Sequence, residues 1–489
     1  MNLALGERRP SPPFATRSIL ALALAASAVL FALSGRYGFH RDELYFMAAG
    51  DHPAWGYVDQ PPLTPLLARA STTVFGDTPT GLRVVATLAF AAIVILTAAI
   101  ARELGARRGG QLLAACCAAV GSFVPAVGHM VSTTTFDILI WLALILTVLH
   151  LHRTANPRWW LATGALAGVG LLNKHLIVLL AAVMLVAILI TGPRTLLKGR
   201  WPWIGVAVAA AIAAPNLIWQ ATHDWPQLTV ASGISAEDGT DNRIMFIPEQ
   251  LLYVSPLLVP IWLTGWWHLW RDRTTRWLAL TYPILCALVL ALGGKGYYTL
   301  PLLLVLTASG CGPVVTWARH TTWRTAVVIA GVTLTAASTA VMSLPTLPPT
   351  QLDIPNAVNK EQGEQVGWPE LTAAVATAWN DLPSTTDAVI FTQNYGQASA
   401  IAHYGPDHDL PQPFSGHMSY ADWGPPPDSA TGPVLTVGEF PARFFTDCRR
   451  VGRVDSAQVD NEEQGTPILA CSGPTRPWSD LWPSLRHFY

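Results

Sequence analysis

Charge is scarce in this chain. Of its 489 residues only 12% are Asp, Glu, Lys or Arg, about half of the roughly 25% found in an ordinary soluble domain, and 51% are hydrophobic. Water is therefore not its main solvent. A formal net charge of -1 lacks the basic excess that nucleic-acid binding relies on, and no nucleic-acid partner is expected. There is no Walker loop, dinucleotide fingerprint, HExxH or paired CxxC, so an ATP-driven pump and an enzyme with a soluble cofactor both lack their signatures. Cysteine is sparse as well. Cys116, Cys117, Cys286 and Cys311 fall in apolar runs, where a thiol behaves as a small apolar side chain. Only Cys448 and Cys471 lie in the polar tail; an oxidising exterior favours their pairing, and two free thiols are the alternative.

What the chain has instead is apolar runs close to the roughly 20 residues needed to cross a bilayer. They recur from Ser18 to Leu344 and divide into eleven provisional helices: 18–34, 82–101, 111–128, 136–151, 159–173, 176–191, 202–220, 250–270, 277–293, 299–315 and 325–344. From Pro345 onward the chain turns to Pro, Gly, Asp, Gln and Asn with no further spanning run, which predicts a membrane domain over 1–344 and a second domain over 345–489. The first run follows Arg8, Arg9 and Arg17 and has the look of a signal peptide. No small-residue cleavage site precedes Arg36, Arg41 and Asp42, so it is read as an uncleaved helix.

Basic residues orient the chain. With the amino terminus in the cytoplasm, the inward connections and leader carry sixteen Lys and Arg and the outward ones seven, as the positive-inside rule requires. An odd helix count then delivers the tail outside the cell membrane.

The unusual polar residues collect on that outer side. The first outer loop is long and carries His40-Arg41-Asp42-Glu43-Leu44-Tyr45-Phe46, then Tyr57-Val58-Asp59-Gln60-Pro61-Pro62-Leu63; loops of this length are usually functional. Asp42 and Glu43 point in different directions on a helix, so one can face a cleft while the other pairs with a base such as Arg41. An interfacial capping cluster is the plain alternative. Asp137 opens an apolar run with no basic neighbour in sequence; a carboxylate at a membrane boundary is a functional candidate, and helix capping is its structural reading. Lys174 sits in a very short outer turn with His175, either facing substrate or snorkelling to headgroups. His223, beside Asp224 after a helix end, reads first as a structural hydrogen-bonding residue. Gly293-Gly294-Lys295-Gly296-Tyr297-Tyr298 offers close backbone approach and a charge to a bulky anion, although an interfacial aromatic belt explains Tyr297 and Tyr298 too. An enzyme facing outward has no ATP or nucleotide sugar, so its activated donor must arrive through the membrane, as a lipid phosphate ester does.

These strings, with Asp137, Lys174 and Lys295-Gly296-Tyr297-Tyr298 before Leu300-Pro301, resemble the bacterial branch of the dolichyl-phosphate-mannose protein mannosyltransferase family, within the GT-C membrane glycosyltransferases. The tail, with Asn394-Tyr395-Gly396-Gln397-Ala398 and Phe414-Ser415-Gly416-His417, resembles the outer domain of actinobacterial members. The resemblance implies an α-helical polytopic membrane protein of GT-C type with a small α/β outer domain. It implies an inverting transfer of sugar, mannose being the leading donor, from a polyprenyl phosphate to an acceptor hydroxyl on a secreted protein, an envelope glycan or lipid, or a peptide natural product. Asp42 would be general base and Lys295, with Lys174 as second candidate, would neutralise the departing phosphate. Asp137 would position the acceptor or Asp42, while Glu43, Asp59, Gln60, His223, Tyr297 and Tyr298 would line the substrates. The related lipid A aminoarabinose transferases carry lysine after the loop acid, where this chain has neutral Gln60. A metal site would map only to Asp59 and His223, too few ligands, so none is expected. The rival reading is a transporter or flippase with Asp42, Asp137 and Lys295 as a polar pathway, but the internal repeat expected of one is missing from the sequence.

Overall fold

The computed structural model describes residues 11–456 and 459–488; Arg8 and Arg9 of the leader lie outside them. The chain forms two compact units. The first comprises the residues up to Ser34, Arg83–Trp219 and Ile234–Ala340, and the second Gly35–Leu82, Gln220–Gly233 and Val341–Tyr489.

The first unit is helical. Each of the eleven apolar segments becomes helix, but their lengths differ from the expected uniform spans. Among the described residues six helices are long and apolar enough to cross a membrane: Thr16–Leu33, Pro79–Glu103, Thr133–Thr154, Trp201–Thr222, Gly296–Ala318 and Thr322–Met342. Gly239–Leu252 and Pro256–Arg271, bent by 65°, supply a seventh if they count as one span. Trp159–Leu171, Ile177–Thr191 and Arg276–Leu292 are apolar but shorter; thirteen residues reach only about 20 Å at 1.5 Å per residue. The segment expected at 111–128 is two helices, Arg108–Val120 and Phe123–Gly128, because Gly121 adopts extended backbone between them. Small residues allow helix backbones to meet. A Cβ on Gly265 would strike the Leu306 carbonyl oxygen, and one on Gly310 would strike that of Ile261, the close approach that packs helices within lipid.

The second unit brings the 35–82 segment together with the tail, a grouping that the contiguous division at 344/345 does not contain. Its cause is packing: the Arg41–Asp51 helix lies against the Tyr395–Tyr404 helix so closely that a Cβ on Gly396 would meet the Arg41 side chain at 2.6 Å. The tail is α/β. Its strands are β1 (Val389–Thr392), β2 (Phe414–Ser415), β3 (Val434–Val437), β4 (Phe445–Thr446), β5 (Arg449–Arg453), β6 (Pro467–Cys471) and β7 (Gly473–Pro474). Five form a sheet in the order β2-β1-β3-β6-β5, and β4 pairs with β7. β1 runs parallel to both neighbours, with Phe391 opposite Phe414 and Thr436, whereas β6 is antiparallel to β3 and β5. The strands β1 and β3, all apolar or Thr, are buried throughout, as expected for parallel strands covered on both faces. Phe391, Phe445, Trp478 and Trp482 form the centre of the core.

Cys448 and Cys471 are joined in a disulfide across 23 residues. Closing a loop of that length restricts the unfolded chain by about 3 kcal/mol. The double substitution Cys448→Ser, Cys471→Ser is therefore expected to lower the unfolding temperature of the detergent-solubilised protein, and reductant should lower that of the wild type only. Equal melting of the two proteins would count against a stabilising bridge.

Candidate active site

His40 holds extended backbone immediately before the Arg41–Asp51 helix, and its Nδ1 accepts the Asp42 N–H at 3.1 Å. Glu43 reaches back to accept the His40 N–H at 2.8 Å, completing a capping box. Glu43 is fully buried, so it is a helix cap and not the substrate-facing residue expected of it. Both carboxylates sit in the first turn, where the helix dipole favours negative charge. His40 is also buried, which opposes its charge, but Glu361 bonded to Nε2 at 2.8 Å outweighs this and holds it above the ordinary imidazole range.

Asp42 is left facing outward. Its Oδ1 accepts the Tyr395 hydroxyl at 2.7 Å, and 34% of its side chain stays exposed. Arg41 Nε lies 3.7 Å away, but the Arg41 guanidinium is engaged with Glu462 and over the Tyr395 ring. A carboxylate fixed on one oxygen and accessible beside it can accept a proton from an incoming hydroxyl.

A second tyrosine–aspartate pair stands beside the first, with the Tyr45 and Tyr395 ring centroids 4.6 Å apart. The Tyr45 oxygen is 2.7 Å from both Asp59 Oδ1 and Ser419 Oγ. Tyr45 has one proton and a carboxylate only accepts, so Tyr45 donates to Asp59 and the Ser419 hydroxyl donates to Tyr45. Burial pushes the Asp59 carboxyl up to about 6, against the Tyr45 hydrogen bond. A carboxyl raised in the folded state binds its proton more tightly there than in the unfolded chain, so its contribution to stability declines as pH rises through about 6. Wild-type protein should lose melting temperature between pH 5 and 7.5 by a component that Asp59→Asn lacks; parallel curves would remove Asp59 as its source. Next to it Gln60 is buried, and neither its amide nitrogen nor its oxygen has a partner among the described residues.

The first unit holds another group. Ser132, not Asp137, caps the Thr133–Thr154 helix by accepting the Thr135 N–H at 3.2 Å. Asp137 lies inside the helix, 6% exposed, and its Oδ1 is unbonded among the described residues. The charge of Lys174 acts on it. The Lys174 ammonium also stands 5.3 and 5.0 Å from the ring centres of Tyr297 and Tyr298, within cation–π range. Tyr297 in turn stacks on Phe123 at 5.5 Å. Lys295 is placed differently: it is 39% exposed and 3.9 Å from Asp238. A Cβ on Gly296 would meet the Glu249 carboxylate, which would have to move aside. His223 is exposed, with Nδ1 3.2 Å from the Thr222 hydroxyl. Among the described residues no three His, Cys, Asp or Glu gather as a metal-binding group.

Tyr395 and Ser419 are the functional candidates that sequence reasoning missed. The capping pattern Asn394-x-x-Gln397, which the structure realises, marks the helix start that places Tyr395, but nothing local points that tyrosine at Asp42.

Residues 59–219 match the dolichyl-phosphate-mannose-protein mannosyltransferase family. No curated protein sequence matches the chain. In structure it is similar to ArnT from Cupriavidus metallidurans in the apo state, with a TM-score of 0.57 and 12% identity over 93% of this chain and 98% of that one. The same protein bound to undecaprenyl phosphate gives 0.55 and 13% over the same shares. Arabinofuranosyltransferase AftD from Mycobacteria gives 0.52 and 13%, over 95% of this chain but only 40% of that one. At such identity the likeness is one of fold, and it adds to the family match over the segment that runs from Asp59 through Asp137 and Lys174 to Trp219. The family match is confined to residues 59–219, and over the rest of the chain the likeness to these structures is one of fold.

Proposed function

We propose that this protein transfers a sugar, mannose being the leading donor, from a polyprenyl phosphate to an acceptor hydroxyl at the extracytoplasmic membrane face, with inversion at the anomeric carbon. The observation that carries this reading is Asp42: its carboxylate is held on one oxygen by Tyr395 and remains accessible. The binding of undecaprenyl phosphate by a protein of the same fold supports the class of donor. In the transfer the acceptor oxygen bonds to the anomeric carbon from the side opposite the phosphate. The bond from that carbon to the phosphate oxygen breaks, its electron pair leaves with the polyprenyl phosphate, and Asp42 takes the acceptor proton. A phosphate is a competent leaving group, so cationic stabilisation matters more than a general acid; Lys174 and Lys295 are assigned to it, with Asp137 as a positioning residue. The sequence charge asymmetry supports an amino terminus inside and the tail outside.

The test is sugar transfer in membranes containing this protein, supplied with radiolabelled polyprenyl-phosphate mannose and, separately, the corresponding glucose, galactose and arabinose donors. Labelled product that depends on the protein supports the reading and identifies the sugar. Absence of product with every donor would end it.

A further inference from the structure

A pocket of about 330 Å³ opens in the second unit, lined by Gln393, Asn394, Gln397, Glu463 and the rings of His417 and His487 among others. This falls within the range of small-ligand pockets, roughly 300–1,000 Å³. It is polar, yet its charges are already engaged. The buried Glu463 accepts the Asn394 amide on Oε1 at 2.8 Å and the Gln397 amide on Oε2 at 2.6 Å. Glu462, also on the wall, pairs with Arg41. Two carboxylates oppose an anion, and both already accept hydrogen bonds from the protein.

The two histidines decide what the pocket recognises. Their rings are stacked 4.7 Å apart and nearly parallel. The flanking backbone holds them together, Met418 N–H donating to the His487 carbonyl and His487 N–H to that of Gly416. His417 Nδ1 accepts the Tyr395 N–H at 3.4 Å, so its proton sits on Nε2. His487 Nδ1 is 2.9 Å from the Leu485 carbonyl; a carbonyl only accepts, so Nδ1 carries a proton and donates it there. Burial, aided by the charges of His487 and Arg41, pushes His417 down to about 3, so it stays a neutral donor at physiological pH. Neither Nε2 is bonded among the described residues. The pocket therefore offers the His417 N–H donor beside the amide of Gln393, which both donates and accepts. A hydroxyl, which both donates and accepts, matches this set; a carboxylate or an ammonium matches half of it.

We infer that this pocket is a carbohydrate site that holds a neutral, hydroxyl-bearing glycan acceptor. Tyr395 ties it to the chemistry, since its backbone bonds His417, its ring lies 5.2 Å from that imidazole and its hydroxyl bonds Asp42. The acceptor role rests on the reading of Asp42 as base; the binding does not.

The test is titration of the full-length protein in nanodiscs with α-mannobiose, β-galactobiose and cellobiose, and with a Ser/Thr-containing hexapeptide, followed by saturation-transfer NMR. At least one disaccharide should bind saturably, equally in wild type and Asp42→Asn. His487→Phe, which keeps the stacked ring but loses both ring nitrogens, should weaken it at least 10-fold. The exposed Gln393→Ala should weaken it about 3-fold without touching the core. Binding of the peptide alone, of none of the disaccharides, or of a disaccharide unchanged in both pocket variants would overturn the proposal. Disaccharide binding without any sugar transfer would leave the pocket standing and remove the transferase reading, whereas transfer to peptide without disaccharide binding would do the reverse.

Discussion

Asp42→Asn is expected to lower sugar transfer roughly 10²–10⁴-fold, the usual contribution of a positioned general base, while leaving the amount of folded protein unchanged. Asparagine has the same shape as aspartate, and its amide oxygen can still accept the Tyr395 hydroxyl that bonds Asp42 at 2.7 Å. The packing of the Arg41–Asp51 helix on the Tyr395–Tyr404 helix should therefore survive. What the amide lacks is the basicity to take the acceptor proton. Glu43→Gln serves as the comparison, because Glu43 is buried and its carboxylate caps the helix. A glutamine can accept the same His40 N–H, so its cost should stay below 10-fold. Labelled product from the lipid-linked donor, measured in membranes at matched expression, separates the two. Equal transfer by wild type and Asp42→Asn would make Asp42 structural, and a larger loss in Glu43→Gln would reverse the assignment of the adjacent carboxylates.

The helical membrane region was legible because hydrophobicity declares itself residue by residue: every apolar run became helical, although 111–128 and 250–270 are each broken. Span lengths were less so. A glycine such as Gly121, or a stretch of thirteen residues between turns, shortens a helix without changing its composition, and a window of average hydropathy does not register the break. In the polar region the legible part was local. The string around Asp42 singled out that carboxylate as a candidate, and His40-x-x-Glu43 carried the outline of a capping box, hidden because histidine is an unusual residue at the cap. What could not be read was pairing at long range. Tyr395 lies 353 residues from Asp42, and Ser419 lies 374 from Tyr45. Each is an ordinary tyrosine or serine until the chain returns. The stacked imidazoles of His417 and His487 depend on two backbone bonds between segments that share no local signal. Asp137 was seen for a sound reason, the cost of a carboxylate in an apolar run, and the cap at Ser132 removes its simplest structural explanation.

Lys174→Met should reduce the rate of transfer by about 10²-fold or more, the range seen when one group stabilising a developing oxyanion is removed. Lys295→Met should reduce it less than 10-fold. This reverses the order expected from the sequence, which favoured Lys295, and the reason is the surroundings. The Lys174 ammonium faces both the Tyr297 and Tyr298 rings and acts on the buried Asp137, in surroundings that screen charge weakly, so its attraction for a phosphate is large. Lys295 is 39% exposed beside an equally exposed Asp238, and water screens most of what it could contribute. A snorkelling role for Lys174 makes a different prediction, because an anchor affects the quantity of inserted protein and not the rate per molecule. The decisive comparison is kcat per folded enzyme for Lys174→Met, Lys174→Arg and Lys295→Met. If the phosphate is the target, arginine should recover most of the rate lost to methionine, because charge is what the departing group requires. If Lys295→Met proves the more damaging, the exposed lysine carries the phosphate and the tyrosine-flanked one serves only to hold the helices.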